Sequence, residues 1–422
     1  MTDAPESALA AEKTAAQAVG TSRIRLLVIG CALVAFTLKV MIALQTIGTN
    51  DTVTFYRFAQ MLSARGLEWT YRNDISFNHP PLTAYFLCMI LPLEKIPSLN
   101  ALGIDFPFLL RFPGILADFI VVIVVLRISE TVRVIPPWAL ALFALSPVSL
   151  MISGFHGNTD SVMVMFLALA TLMAVRNRPV WCAVLMALSC QVKIVPLLLL
   201  PILFFFWCAR GAGFRFSIAF TLVCAIGWIQ PLTHFPLLLL KNVLSYGSFW
   251  GIWGLTYWLR MTGLPMFGAV TYYHFPPVEA AIVFTLKLVL IACILTLAWR
   301  RREVAPVRLI DSLAYAWLIF FAISPGICAQ YMLWLAPFVL LLSPTIYAWI
   351  TATSAMFLFS FYNTIAGGLP WHLAVSTAQL NTVWTPWTAW PWAAILIALV
   401  VLWRDAQRED PTLRLVSAKL VR

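Results

Sequence analysis

Few side chains in this sequence could do chemistry, and most of those sit in polar breaks between oily runs. The first break, Thr49–Leu82, opens Thr-Asn-Asp-Thr-Val-Thr-Phe-Tyr and closes Phe-Asn-His-Pro-Pro-Leu, with Asp51, Arg57, Arg65, Glu68, Arg72, Asp74 and His79 along it. Asp51 is the leading candidate base, a carboxylate able to draw the proton from an attacking hydroxyl. The same residue suits a helix N-cap, since Asn50-Asp51 precedes a helical-looking Thr52–Ala64. The two roles are compatible at a water–membrane boundary. Asp74 is the reserve carboxylate, with loop solvation as its plainer role. In His156-Gly157-Asn158-Thr159-Asp160, Gly and Asn interrupt the helical run. Asp160 with Ser161 can cap the next helix, while His156, Asn158 and Asp160 together could bind sugar hydroxyls or a phosphate. Lys193, inside a long apolar stretch, either meets an anionic phosphate or snorkels to water. Arg260 and His274 are further phosphate candidates, and Gln330-Tyr331 with Trp334 come after Ser324-Pro325-Gly326.

These residues must be held by a membrane bundle. The chain has 422 residues, 62% hydrophobic and 11% charged, with a mean hydropathy of +0.89; no soluble domain hides that much apolar surface. Apolar runs of roughly 15–25 residues repeat, the length of a helix crossing ~30 Å of hydrocarbon, so the fold class expected is an all-α polytopic membrane protein. Ile24–Ile47 lacks a small-residue cleavage site and reads as a retained first span. Spans are expected near 24–47, 107–127, 137–154, 159–175, 179–191, 194–208, 214–232, 278–299, 309–325, 330–342, 345–362 and 390–403, about 12 (range roughly 10–13), with both termini inside. Residues 1–23 read as a disordered cytoplasmic N-terminus, 24–403 as one transmembrane domain and 404–422 as a basic cytoplasmic tail. Within the domain, 48–106 is the first outer loop with juxtamembrane helices, and 233–277 a long outer loop.

The positive-inside rule selects this arrangement and accounts for the net charge of +11 without nucleic acid. It also favours a re-entrant or surface-lying helix at 82–97, and two short helices turning at Lys193 on the outer side rather than one span with a buried ammonium. The Trp-rich Trp371–Trp392 and the 233–277 loop look interfacial. Of the charges inside spans, Asp118 is expected to pair within the bundle, and Asp311 and Lys39 to reach an interface. Eight cysteines without a close Cys-x-x-Cys give no disulfide framework or metal site. Walker, Gly-x-Gly-x-x-Gly, His-Glu-x-x-His and Asp-x-Asp sequences are missing, which leaves nucleotide hydrolysis and a nucleotide-sugar/metal mechanism without support.

Taken in order, these motifs resemble the GT-C superfamily of membrane glycosyltransferases. The likeness is to the ER glucosyltransferases that extend lipid-linked oligosaccharide and to the bacterial polyprenol-phosphate-mannose-dependent mannosyltransferases. It rests on Asp51 before Phe55-Tyr56, His79-Pro-Pro-Leu-Thr-Ala-Tyr85, Arg111 to Asp118, Gly154-Phe-His156-Gly-Asn158-Thr-Asp160 and Lys193. The second half matches loosely, with Gln330-Tyr331 where the glucosyltransferases carry His-Glu. The resemblance implies a GT-C-like bundle with a catalytic first outer loop. It implies transfer of a hexose, glucose or mannose, from a polyprenyl-phosphate donor to a lipid-linked or envelope glycan acceptor, with inversion and without metal or cofactor. Asp51 would be the base, and His79, His156, Asn158, Asp160, Lys193, Arg260, Gln330 and Tyr331 would bind substrate. The setting implied is the bacterial inner membrane with the site on the periplasmic face, or the lumenal face of the ER membrane. The rival from another class is a transporter or flippase of a lipid-linked sugar, which would favour paired repeats and helices broken at the midplane; a non-catalytic assembly subunit is the third reading.

Overall fold

The computed structural model describes residues 4–244, 249–268, 270–272, 274–375 and 386–409. Part of the Trp-rich segment and most of the expected basic tail lie outside the described residues. The main helices of the first half are α1 (Ala4–Gln45), α2 (Asn50–Asn73), α3 (Pro81–Ile90), α4 (Phe106–Thr131), α5 (Pro137–Ala144), α6 (Asp160–Val175), α7 (Pro179–Val192), α8 (Leu200–Cys208) and α9 (Gly213–Gly227). The second half adds α10 (Gly254–Met261), α11 (Pro277–Arg300), α12 (Pro306–Ile323), α13 (Ala336–Leu342), α14 (Pro344–Ala366) and α15 (Ala389–Glu409). Pro81, Pro137, Pro179, Pro277, Pro306 and Pro344 each occupy the first position of a helix. There the missing N–H is one the helix could not use, so apolar surroundings are spared an orphan donor.

The all-helical expectation holds, and apart from the start of α1 most expected boundaries fall within a few residues of those observed. The count of crossings is not established. Among the described residues five helices are long and apolar enough to cross a membrane: Ser22–Gln45, Phe106–Thr131, Pro137–His156, Pro277–Arg300 and Pro306–Ile323. Others, such as α6 at 16 residues and α7 at 14, reach only about 20–24 Å at 1.5 Å per residue. The Ala-rich stretch expected to be disordered has helical backbone from Ala4, in keeping with alanine's propensity. Residues 82–97 divide between the ten-residue α3 and a 3₁₀ turn over Leu91–Lys95, too short to span.

α1 packs along α4, α4 along α6, α6 along α7, and α7 along α9, forming one continuous apolar core with α12 and α13. A second, smaller cluster under α2 and α3 mixes aliphatic side chains with Phe55, Phe58, Tyr71, Phe77 and Phe106. Lys39 does not reach an interface. It lies buried against Asp118 at 2.7 Å and donates to Ser149 Oγ at 2.6 Å, while the Ser149 and Ser153 hydroxyls also donate to Asp118. An ion pair this well supplied with hydroxyls is what permits an ammonium inside the bundle. Asp311 is likewise buried, pairing with Arg133 at 2.7 Å and the exposed Arg308 at 3.6 Å.

Arg111 has a larger role than its place in a motif suggested. Its buried guanidinium donates to the carbonyls of Ala43, Thr46, Pro107, Gly154 and Phe155 and to the Thr46 hydroxyl. It makes no ion pair among the described residues. Two helical ends meet there: the last turn of α1, and a π-helical segment over Leu150–His156 that ends on left-handed Gly157. A cation set against both C-termini answers their orphan carbonyls and partial negative charge together. Gly48–Thr49, just past α1, pairs in parallel with Leu373–Ala374, tying the first helix to the segment after α14.

A candidate active site around Asp51

The polar breaks meet at one end of the bundle. Asp51 stands in the first turn of α2, but the cap is Thr49, whose hydroxyl accepts from the Asp51 N–H at 3.3 Å and donates to the His156 carbonyl at 2.8 Å. The capping role open to Asp51 in the sequence is thus taken by its neighbour, and its carboxylate is free to face a cavity. Oδ2 is the anchored oxygen. His156 Nε2 lies 3.0 Å from it, Asn158 Nδ2 donates at 2.8 Å and Gln330 Nε2 at 3.3 Å. Oδ1 takes no hydrogen bond among the described residues, and 28% of the side chain is exposed.

The cavity has a volume of about 320 Å³ and its walls include Asp51, Arg57, His79, Asn158, Lys193, Gln330 and Tyr331, at the small end of ligand-sized sites. Burial acts to raise the Asp51 carboxyl. His156 foremost, then the charge of Lys193 and the Asn158 amide, outweigh that and hold it below its ordinary value. His79 sits on an aromatic bed, with Phe55 at 4.9 Å and Phe77 at 5.8 Å between centroids. That burial, reinforced by the Lys193 charge, pushes its imidazole down to about 3, so it lines the cavity neutral.

Six of the nine residues expected at the site therefore wall one chamber: Asp51, His79, Asn158, Lys193, Gln330 and Tyr331. His156 and Asp160 stand behind the wall. Both His156 ring nitrogens are engaged, Nε2 with Asp51 and Nδ1 with the Tyr362 hydroxyl at 2.8 Å, which leaves it nothing to offer a ligand. Asp160 caps no helix and is fully buried. Both its oxygens accept from Lys193 Nζ, at 2.9 and 2.8 Å, and Trp334 Nε1 donates to it as well. The chain does break at Lys193, where the backbone turns extended between α7 and a 3₁₀ segment over Val195–Leu199. Its ammonium lines the chamber and is largely buried, between that carboxylate and the faces of Tyr331 and Trp334, 5.3 and 5.7 Å away. Arg260 is not at the chamber; it lies in α10 over the Tyr257 ring at 5.5 Å. His274, likewise outside the wall, is exposed.

The sequence reading missed three contributors. Arg57 was one charge among seven in the break, yet it stands at the chamber rim, 55% exposed, tethered to Asp74 at 3.0 Å and Ser76 at 3.2 Å. Tyr362, inside an apolar helix, gave no signal. Gly157 gave a partial one: at φ +83, any Cβ there would stand 2.1 Å from the Thr52 hydroxyl, so the 156–160 turn seats on α2 only as glycine.

A second cavity, apolar and of about 670 Å³, lies between the Lys193 break and α11 and α12; it shares Ile194, Val195 and Tyr331 with the chamber. An oily groove thus opens beside a polar chamber, as an amphipathic substrate with a long chain and a polar head would require. Residues 104–209, about a quarter of the chain, match the family model for the N-terminal domain of alpha-(1->6)-mannopyranosyltransferase. Among curated proteins none matches. The matched stretch contains Arg111, His156, Asn158, Asp160 and Lys193, and its likeness is to an enzyme, a membrane glycosyltransferase of the mannose-transferring kind.

Proposed function

We propose that this chain transfers a hexose, mannose first, from a polyprenyl-phosphate donor to a hydroxyl of a lipid-linked or envelope glycan, with inversion. The observation that carries the reading is the asymmetry of Asp51: three N–H groups hold Oδ2, Oδ1 takes no hydrogen bond among the described residues, and the residue lines a chamber that adjoins an apolar groove. The donor's isoprenoid chain would lie in the groove with its sugar in the chamber. The acceptor oxygen attacks the anomeric carbon as the bond from that carbon to the phosphate oxygen breaks, and Asp51 Oδ1 takes the acceptor proton. Such general-base help is typically worth about 10²–10⁴-fold.

The leaving phosphate gains a charge as it departs, and Arg57 and Lys193 are the two permanent cations in the chamber wall. Lys193, next to the residues shared with the groove, is the nearer to where chain and head must join. The match to a mannopyranosyltransferase favours mannose over glucose. The same reading sets the chamber on the periplasmic side of a bacterial inner membrane, because Arg25, Arg127 and Arg133 gather at the opposite end of α1 and α4.

The test is purified protein with synthetic polyprenyl-phosphate mannose and glucose and a lipid-linked acceptor. Asp51→Asn should insert normally and lose at least 100-fold in transfer, and EDTA should leave the wild-type rate intact. Full activity in Asp51→Asn removes the carboxylate from the mechanism, and metal-restored activity after EDTA overturns the cation reading.

A further inference from the structure

We infer that Tyr362 is a positioning residue: its hydroxyl holds His156 as the neutral Nε2–H tautomer, and that imidazole fixes which oxygen of Asp51 meets the acceptor. The catalytic consequence rests on Asp51 being the base of the proposed transfer; the tautomer itself does not.

The chain of contacts runs inward from the chamber. An ionised carboxylate can only accept, so the 3.0 Å contact from Asp51 Oδ2 requires a proton on His156 Nε2. The state of Nδ1 is then set by Tyr362, 2.8 Å away. If the ring is neutral, the Nδ1 lone pair accepts the phenolic O–H and every polar atom in the chain is satisfied. If the ring is an imidazolium, Nδ1–H must donate to the phenol oxygen, and the phenolic proton is left without an acceptor among the described residues. That hydroxyl is fully buried, its ring packed against Phe155, Phe361 and Trp371, where an orphan donor is costly. Satisfiability therefore selects the neutral tautomer.

The effect reaches Asp51 through geometry. A carboxylate free to turn would offer either oxygen to a substrate. Here the His156, Asn158 and Gln330 donors converge on Oδ2, so the lone pairs left for an acceptor proton belong to Oδ1. The carbonyl of His156 is held in turn by the Thr49 and Thr52 hydroxyls, so ring and carboxylate are fixed from both sides. The other charged or titratable groups facing Asp51 are Lys193, with Asp160 paired behind it, and Arg57, His79, Cys328 and Tyr331 in the chamber wall. None of them touches Nδ1. Without the Tyr362 hydroxyl Asp51 still requires the Nε2 proton, but nothing bars a second proton on Nδ1, and the imidazolium that results leaves Asp51 a weaker base.

Tyr362→Phe tests this while keeping the ring and its packing. The protein has five histidines, and in ¹⁵N-histidine spectra His156 is identified as the signal lost in His156→Gln. The wild type should show a neutral ring protonated at Nε2 only; Tyr362→Phe should show the doubly protonated ring at pH values where the wild type is neutral. In the transfer assay Tyr362→Phe should lower kcat about tenfold, the equivalent of one hydrogen bond, with the donor KM little changed. The acid limb of its pH–rate profile should move upward. His156→Gln, which keeps an N–H toward Asp51, should retain more activity than His156→Phe. An imidazolium or an Nδ1–H ring in the wild type, or an unchanged protonation state in Tyr362→Phe, overturns the inference. An active Asp51→Asn would sink the transfer mechanism alone, because the spectra still decide what Tyr362 does.

Discussion

Replacing Arg111 by lysine keeps the charge and removes the fork, which makes it a sharp test of how the site is held. The guanidinium serves six acceptors with five N–H groups, and an ammonium has three N–H to offer. At least three acceptors in a buried site would lose their partner. Carbonyls tolerate one idle lone pair better than a donor tolerates isolation, so the low end of the usual cost applies, about 1 kcal/mol each and about 3 kcal/mol together. With the unfolding entropy of globular proteins, about 2.1 cal/mol/K per residue, a chain of 422 residues loses roughly 3 °C in Tm for that amount. Tryptophan fluorescence during heating in one detergent reads this directly. Transfer should fall further than stability, because the Gly154 and Phe155 carbonyls that Arg111 holds immediately precede His156. A variant with Tm within 1 °C of wild type and full transfer would show that the two helical ends do not need the guanidinium.

Two further perturbations separate neighbouring causes. Lys193→Met alone strands the fully buried Asp160 carboxylate and should cost about 3–5 kcal/mol, whereas Lys193→Met with Asp160→Leu should recover most of that stability; denaturation in matched detergent compares them, and equal losses would mean that the pair is not a closed unit. His79 has a folded-state pKa pushed down to about 3 against about 6.5 when unfolded, so its contribution is fully present above about pH 6.5 and is lost as pH falls toward about 3, on the order of a few kcal/mol in all. His79→Phe should therefore flatten the stability profile between pH 6.5 and 5, and an unchanged slope would assign acid sensitivity elsewhere.

How much could be read from the sequence depended on the kind of signal. Helix ends were legible because hydropathy and N-terminal prolines mark them locally, and the break at Lys193 was legible because an ammonium inside an apolar run needs an explanation. The convergence of Asp51, Asn158 and Gln330 was partly legible, since each sits in a polar break. What a buried polar residue does was not. Lys39 and Asp118 lie 79 positions apart, Lys193 and Asp160 33 apart, and Tyr362 and His156 206 apart, and no local pattern links such partners. Asp51 and Asp160 each offer a capping role beside a chemical one, because a carboxylate ahead of a helix often serves as a cap. Tertiary partners claimed both, and a threonine did the capping at α2.

That division of labour at the start of α2 bears on how position 51 can change. Because Thr49 closes the helix end, the acid two residues later has no capping duty, and its replacement leaves the helix start seated. Natural variation or design can therefore act on reactivity there without first having to protect the scaffold, a freedom most buried ionisable groups in this protein lack.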